Sequence, residues 1–191
     1  MLKLWDSNQD GKLAKEEIND PKVVKGWGET DLDSDGHLGA RDWRFYRSKR
    51  AVQNGVNAFR LGGQGDVTEK NFLWRYTKSL PNVPSPLLYN GVLFLVKEGG
   101  ILTTLDPVTG NVLKQARLEG APGAYFSSPV GADGKVYTLS EEGKLTVLKA
   151  AGDWEILSVS DLGDESHSTP AIAGKRMYVR THGMLYCFGK Q

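Results

Sequence analysis

From residue 85 onward the apolar residues fall in short runs: VLFLV at 92–96, ILTTLD at 101–106, KVYTLS at 135–140, KLTVLK at 144–149, RMYVR at 176–180 and MLYCF at 184–188. Each run is too short for an amphipathic helix, and several alternate apolar with polar or β-branched residues, which predicts half-buried strands. Glycine punctuates them, as Asn90-Gly91, Gly99-Gly100, Asp133-Gly134, Glu142-Gly143, Ala173-Gly174 and His182-Gly183. Glycine after Asn or Asp between two short runs is a hairpin signal. The first 50 residues read differently. Their apolar residues are scattered singly among acidic ones, until Trp43, Phe45 and Tyr46 give apolar weight to a predicted helix over 43–52.

The strand pattern repeats. Ser85-Pro86-Leu87 returns as Ser128-Pro129-Val130 and as Thr169-Pro170-Ala171, with the prolines 43 and 41 residues apart. In each copy there follow a glycine turn, a strand, a second glycine turn and a third strand. The first copy continues through Asp106-Pro107-Val108-Thr109-Gly110 into NVLKQAR at 111–117, and the second through Ala150-Ala151-Gly152-Asp153 into WEILSVS at 154–160. A weaker copy precedes them, with Val56–Leu61 and Leu73–Tyr76 flanking the loop Gly62-Gly63-Gln64-Gly65-Asp66. Four short antiparallel strands every 40 or so residues is the pattern of a propeller blade. The predicted fold class is therefore mainly β with a small α head: about three four-stranded antiparallel blades over 54–191, an incomplete propeller, behind a helical unit over 1–53. Three blades fall short of the four to eight of a closed ring. That leads us to expect a C-terminal piece of a longer protein.

The acidic residues of the head have a regular spacing. From Asp6 the sequence is DSNQDGKLAKEE, placing Asp6, Asn8 and Asp10 at positions 1, 3 and 5, Gly11 at 6, Lys12 at 7 and Glu17 at 12. From Asp31 it is DLDSDGHLGARD, placing Asp31, Asp33 and Asp35 at 1, 3 and 5, Gly36 at 6, His37 at 7 and Asp42 at 12. The first loop matches the calcium-binding pattern D-x-[DN]-x-[DN]-G-x5-E at every defined position; the second departs only at its last. A hard cation takes six to eight oxygens, and alternate short carboxylate or amide side chains supply them as a loop wraps around it. Lys12 and His37 would contribute only backbone carbonyls. Aspartate at position 12 is one methylene shorter than glutamate, which predicts a weaker second site. The blander readings are an Asx-turn loop capping a helix for the first and a structural partner loop for the second. Leu13 and Leu38 share position 8, where paired loops form a short antiparallel bridge. Leu2 and Trp27 each stand four residues before a loop, as apolar sites on an entering helix. The loops resemble an EF-hand pair, and calcium is the cofactor which that resemblance implies.

Charge sharpens the division. Net charge is +1 overall, but residues 1–40 carry 5 basic and 9 acidic side chains and residues 41–80 carry 9 and 3. A near-neutral chain is not dominated by nucleic-acid attraction. The cations Arg41, Arg44, Arg47, Lys49 and Arg50 read as a solvated helix end that offsets the acidic loops. The three aromatics among them are expected to dock the helix onto the next unit. No apolar run reaches the 18 or so residues of a membrane span. With 23 glycines and one cysteine, the chain is rich in turns and can form no internal disulfide. Cys187 falls on a predicted core strand and is expected to be buried. Asp164, Glu165 and His167 form the one acid–histidine cluster of the body, read as a solvated turn.

The repeat S-P-x-x-x-x-G-x-V-Y, then G-x-L-x-x-L-D-x-x-T-G-x-x-L, resembles that of the pyrroloquinoline-quinone-type (quinoprotein-like) β-propellers. That group holds quinone-dependent dehydrogenases and non-catalytic outer-membrane assembly scaffolds alike, and the resemblance implies an extracytoplasmic bacterial setting. A quinone site would need a full ring, a tryptophan floor and, in the dehydrogenases, adjacent cysteines. The expectation is a calcium-binding, non-catalytic interaction or scaffold protein, with a protein or envelope-polymer partner. The alternatives are part of a quinone-dependent oxidoreductase and a carbohydrate- or envelope-binding propeller.

Overall fold

The computed structural model describes residues 5–51 and 54–189. Expectations attached to Leu2, to the side chains of Lys49 and Arg50, to Val52 as the end of a helix, and to the unit boundary at Gln53 lie outside the described residues. The chain divides into two compact units, Met1–Asn54 and Gly55–Gln191.

Before its last helix the head is made of short pieces, because Pro21, Gly26 and the two acidic loops interrupt anything longer. Helix α1 (Pro21–Lys25) starts on Asp20, whose side chain accepts from Lys22 N–H at 2.9 Å, with proline at the first helical position. Proline there costs nothing, since its missing N–H would be an unpaired one anyway. Gly26 interrupts the helix, and α2 (Trp27–Thr30) gives one further turn before the second acidic loop. Strands β1 (Leu13–Ala14) and β2 (His37–Leu38) pair antiparallel, Leu13 opposite Leu38 and Ala14 opposite His37. Helix α3 (Ala40–Ala51) follows. Leu13, Ile18, Val23, Leu38 and Trp43 form the core, with Trp5, Val24, Trp27 and Tyr46 packed against it.

Two expectations for the exiting helix need correction. It begins at Ala40, not Trp43, which places Asp42 in its first turn; a carboxylate there is favoured by the helix dipole. Trp43 and Tyr46 pack within the head itself. Trp43 is buried in the head's own core, its ring 5.7 Å from that of Trp5 and 5.3 Å from that of Tyr46, while Phe45 is exposed. A unit whose first two helices have five and four residues has little apolar surface, and it uses the large rings on and beside its one longer helix to close its core.

The body is an incomplete β-propeller. A two-stranded sheet, β3 (Val56–Phe59) with β4 (Phe72–Tyr76), comes first. A four-stranded sheet follows in the order β5 (Leu87–Tyr89), β6 (Val92–Lys97), β7 (Ile101–Leu105), β8 (Val112–Arg117). A second has β9 (Val130–Ala132), β10 (Lys135–Leu139), β11 (Lys144–Lys149) and β12 (Ile156–Asp161), and a three-stranded sheet of β13 (Ala171–Ala173), β14 (Arg176–Arg180) and β15 (Leu185–Gly189) ends the described chain. All neighbours are consecutive and antiparallel. The hairpins at Asn90-Gly91 and Asp133-Gly134 have positive φ at both central residues, the backbone that matches the twist of the flanking strands.

Consecutive sheets pack face to face. Phe94, Val96 and Leu102 of one meet Val136, Leu148 and Trp154 of the next. Leu139 and Leu145 in turn meet Val179 and Tyr186, and Leu95 and Leu105 meet Tyr76 and Trp74. The first strands β5, β9 and β13 lie side by side in succession. Their lead-in residues are stitched by a repeating bond: Ser85 N–H donates to Ser128 Oγ at 2.9 Å and Ser128 N–H to Thr169 Oγ1 at 3.0 Å. Cys187 corrects another expectation. It lies on β15 but is exposed, on the face of that sheet opposite the one where Tyr186 and Val179 pack against Leu139 and Leu145.

Tyr89 fixes the approach of two sheets. Its hydroxyl accepts from Gly134 N–H at 3.1 Å, and its ring lies where a Cβ on Gly131 would come within 2.5 Å. Overfilling a packed site costs about 1–3 kcal/mol. Gly131→Ala should lower body stability by that amount in urea unfolding, and the loss should shrink in a Tyr89→Ala background. Equal losses in both backgrounds would mean that the ring does not set the spacing.

Candidate metal centre

Glycine at position 6 lets each acidic loop turn on itself. Gly11 and Gly36 have φ of 80° and 81°, in the left-handed region that only glycine enters freely. The residues at position 4, Gln9 and Ser34, match too, at 58° and 57°.

Inside that turn the two loops use the same bonds. The position-1 carboxylate accepts from the N–H groups of positions 5 and 6: Asp6 from Asp10 (3.1 Å) and Gly11 (3.0 Å), Asp31 from Asp35 (3.2 Å) and Gly36 (3.0 Å). The position-5 carboxylate accepts from position 7: Asp10 from Lys12 and Asp35 from His37, both at 2.8 Å. The position-12 carboxylate spans the loop, one oxygen on position 2 and the other on position 9. Glu17 takes Ser7 N–H (3.1 Å) and Ala14 N–H (2.9 Å); Asp42 takes Leu32 N–H (3.1 Å) and Gly39 N–H (2.8 Å). The shorter Asp42 makes the same span because its own helix starts beneath it. Asn8 at position 3 donates from Nδ2 to Asp10 Oδ2 at 3.0 Å. His37 keeps Nδ1 3.2 Å from the Asp35 carbonyl.

The sequence-predicted residues therefore gather as two sets of five, at positions 1, 3, 5, 7 and 12 of each loop. In the second, Asp31, Asp33 and Asp35 bring carboxylate oxygens within 4.8 Å of one another, the one such acidic group among the described residues. Three carboxylates converging on a loop of inward N–H groups form a hard, all-oxygen donor set, which suits a divalent ion such as calcium or magnesium. Mutual repulsion is relieved by an ion pair that sequence reading missed: Lys12 Nζ lies 2.7 Å from Asp35 Oδ2. A register argument from the Leu13–Leu38 bridge could have found it, because that bridge brings position 7 of each loop beside the other loop.

These contacts shift the acids. The Ser7 hydroxyl, at 2.7 Å, and the Ala14 N–H hold the Glu17 carboxyl below its ordinary value. The Lys12 ammonium and the His37 N–H do the same to Asp35.

The body's acid–histidine cluster is more than a free turn. His167 Nε2 lies 3.0 Å from Glu141 Oε1, its ring edge-on to Phe126 at 4.8 Å, and Asp164 Oδ2 accepts from Gly183 N–H at 2.7 Å. A cleft of about 190 Å³ is lined there by Glu165, His167, Ser168, Arg180, Thr181 and His182.

No family profile matches the sequence, and no curated protein matches it. Among solved structures, BamB from Moraxella catarrhalis is similar with a TM-score of 0.48 and 19% identity, over 62% of this chain and 39% of that one. A europium-containing methanol dehydrogenase is similar with a TM-score of 0.42 and 20% identity, over 56% and 21%. The computationally designed Ika4 protein reaches 0.53 at 12% identity, over 73% and 81%. The chain thus spans about two fifths of BamB and one fifth of the dehydrogenase. The likeness to Ika4 is one of fold alone, and it extends over most of that protein. No helix among the described residues is long and apolar enough to cross a membrane.

A depressed carboxyl stabilises the fold at pH values above its unfolded pKa, about 4.3 for Glu and 3.9 for Asp, and that stabilisation is lost as pH falls through the lower folded value. In calcium-free buffer, amide exchange at Leu13 and Leu38 should accelerate as pH drops below about 4, beyond the intrinsic pH effect, and Glu17→Gln should flatten that limb. An acid limb of unchanged steepness in the variant would remove Glu17 from the account.

Proposed function

We propose that the chain is a calcium-binding, non-catalytic interaction module, in which an EF-hand pair carries the metal and quinoprotein-like propeller blades carry the partner surface. The observation behind this reading is the position-by-position agreement of the two loops. The same carboxylates close the same turns on the same N–H groups in both, and in the second the oxygens of Asp31, Asp33 and Asp35 converge. Asp6, Asn8, Asp10 and Glu17, with the Lys12 carbonyl, would hold one ion. Asp31, Asp33, Asp35 and Asp42, with the His37 carbonyl, would hold the other.

The non-catalytic part rests on chemistry. The chain has one cysteine, so it lacks the adjacent pair of the quinone-dependent dehydrogenases, and the repeat resemblance alone is equally compatible with assembly scaffolds. That resemblance also supports an extracytoplasmic setting, where calcium is plentiful enough to fill weak sites, and a protein or envelope-polymer partner on the blades. The cleft around His167 and Arg180 favours a second reading, a carbohydrate-binding propeller, which a glycan array on the full chain would test.

Ligand binding to the folded state adds RT ln(1+[L]/Kd), about 2.7 kcal/mol at 100 Kd. Calcium should therefore slow amide exchange within residues 5–51 and leave the strands of 85–189 unchanged. Equal protection in both units would contradict a metal site confined to the head.

Glutamate at position 12 offers more reach than aspartate, so the first loop should bind more tightly. In calorimetric titrations Glu17→Gln should abolish the tighter phase and Asp42→Asn the weaker; the reverse assignment would overturn the ranking.

A further inference from the structure

We infer that the Lys12 ammonium is a tethered counter-ion of the second loop, which calcium must displace on entering it; the inference rests on reading both loops as calcium sites. The two loops agree at positions 1, 5 and 12 and part company at position 7. His37 keeps its ring against its own loop, Nδ1 3.2 Å from the Asp35 carbonyl. Lys12 instead sends its side chain across the β1–β2 bridge, and Nζ reaches Asp35 Oδ2 at 2.7 Å.

The choice of oxygen gives this contact its consequence. Asp35 Oδ1 is engaged by its own loop, accepting from the His37 N–H at 2.8 Å, and the ammonium holds the other oxygen, Oδ2, which an entering ion would have to share or take over. Asp35 is also one of the three carboxylates that converge within 4.8 Å. One positive charge beside them lowers their repulsion in the calcium-free state. A lysine is a point charge with three donors and cannot replace six to eight coordinating oxygens, so a divalent ion wins the oxygen and releases the side chain. The calcium-free second loop is thereby stabilised relative to the loaded one, and its affinity falls below what three carboxylates alone would give. The Lys12 carbonyl is also the position-7 group of the first loop, so one residue serves both sites, its backbone in the first and its side chain in the second. The pair is partly solvated, its side chains 50% and 36% exposed, so the effect is modest and weakens with added salt.

The test uses the full 15N-labelled chain, titrated with calcium in chelator-buffered steps, with the Gly11 and Gly36 amide resonances reporting the two loops separately. Lys12→Gln should tighten the Gly36 response about two- to fivefold and leave the Gly11 response within error, while Lys12→Arg, which keeps the charge, should stay near the parent. Without calcium Lys12→Gln should melt at a lower temperature than the parent, and the difference should close at saturating calcium. Lys12→Met, which keeps the aliphatic stem, serves as a second variant should the glutamine protein fold poorly. A Gly36 midpoint unchanged or weakened in the uncharged variants, with calcium still binding, overturns the counter-ion role and leaves the calcium reading standing. No response of Gly11 or Gly36 to millimolar calcium in any of the proteins overturns the calcium reading, and the counter-ion role with it.

Discussion

A four-stranded antiparallel sheet has two broad faces, and a run of 40 residues has nothing of its own to cover either. In the body each sheet hides its faces against the sheets before and after it. Phe94, Val96 and Leu102 are fully buried only because Val136, Leu148 and Trp154 of the next sheet lie over them, and Leu139 only because Val179 does. At about 25 cal/mol per Å² of apolar surface, this inter-sheet burial is the main favourable term for the body. The other regularities follow from it. Strands stay short, the first strands line up, and glycine stands wherever one sheet approaches the next closely, as Gly131 does under the Tyr89 ring. On the face of β15 that no described sheet covers, Leu185 and Cys187 are exposed.

The head solves a different problem with different chemistry. Its apolar surface is small, and its acids would repel one another if left unpaired. Its stability comes from backbone N–H groups turned inward on Asp6, Glu17, Asp31 and Asp42, and from a two-residue bridge that buries Leu13 against Leu38. Charge-assisted bonds of this kind are roughly twice as strong as neutral ones. They allow a unit with only one helix longer than five residues to hold a defined shape. The same bonds set each carboxylate in place around the loop, so the groups that stabilise the turn are the groups that would bind an ion.

Much of this was legible in the residues. Period-2 apolar runs between Asx-Gly turns located the strands from β5 to β15, and the recurring Ser-Pro or Thr-Pro set the sheet period, because turn chemistry and strand alternation act locally. The spacing of Asp, Asn and Gly placed the loop residues for the same reason. What sequence reading missed depends on contacts distant in the chain. Trp43 looked like a docking residue because its burial partners, Leu13 and Trp5, lie 30 and 38 residues away in the chain. Cys187 looked buried because alternation on β15 says nothing about whether another sheet covers it. The Lys12–Asp35 pair, 23 residues apart, is invisible to a pattern that counts positions within one loop.

That pair also bears on how sequence patterns for metal loops are read. A pattern scores the residues that offer oxygens and treats position 7 as a backbone carbonyl with any side chain attached. In a lone loop that is sound. In a pair joined by an antiparallel bridge, position 7 of each loop lies beside the other loop, and its side chain joins the neighbour's electrostatics. A lysine there adds a positive charge to a site whose ligand count is unaltered. A histidine at the matching position, turned to its own backbone as His37 is, adds none while neutral. Two loops with similar ligand lists can then differ in affinity for a reason outside both lists. The electrostatic setting of either loop has to be read from the pair, with the bridge register as the rule that says which side chains to include.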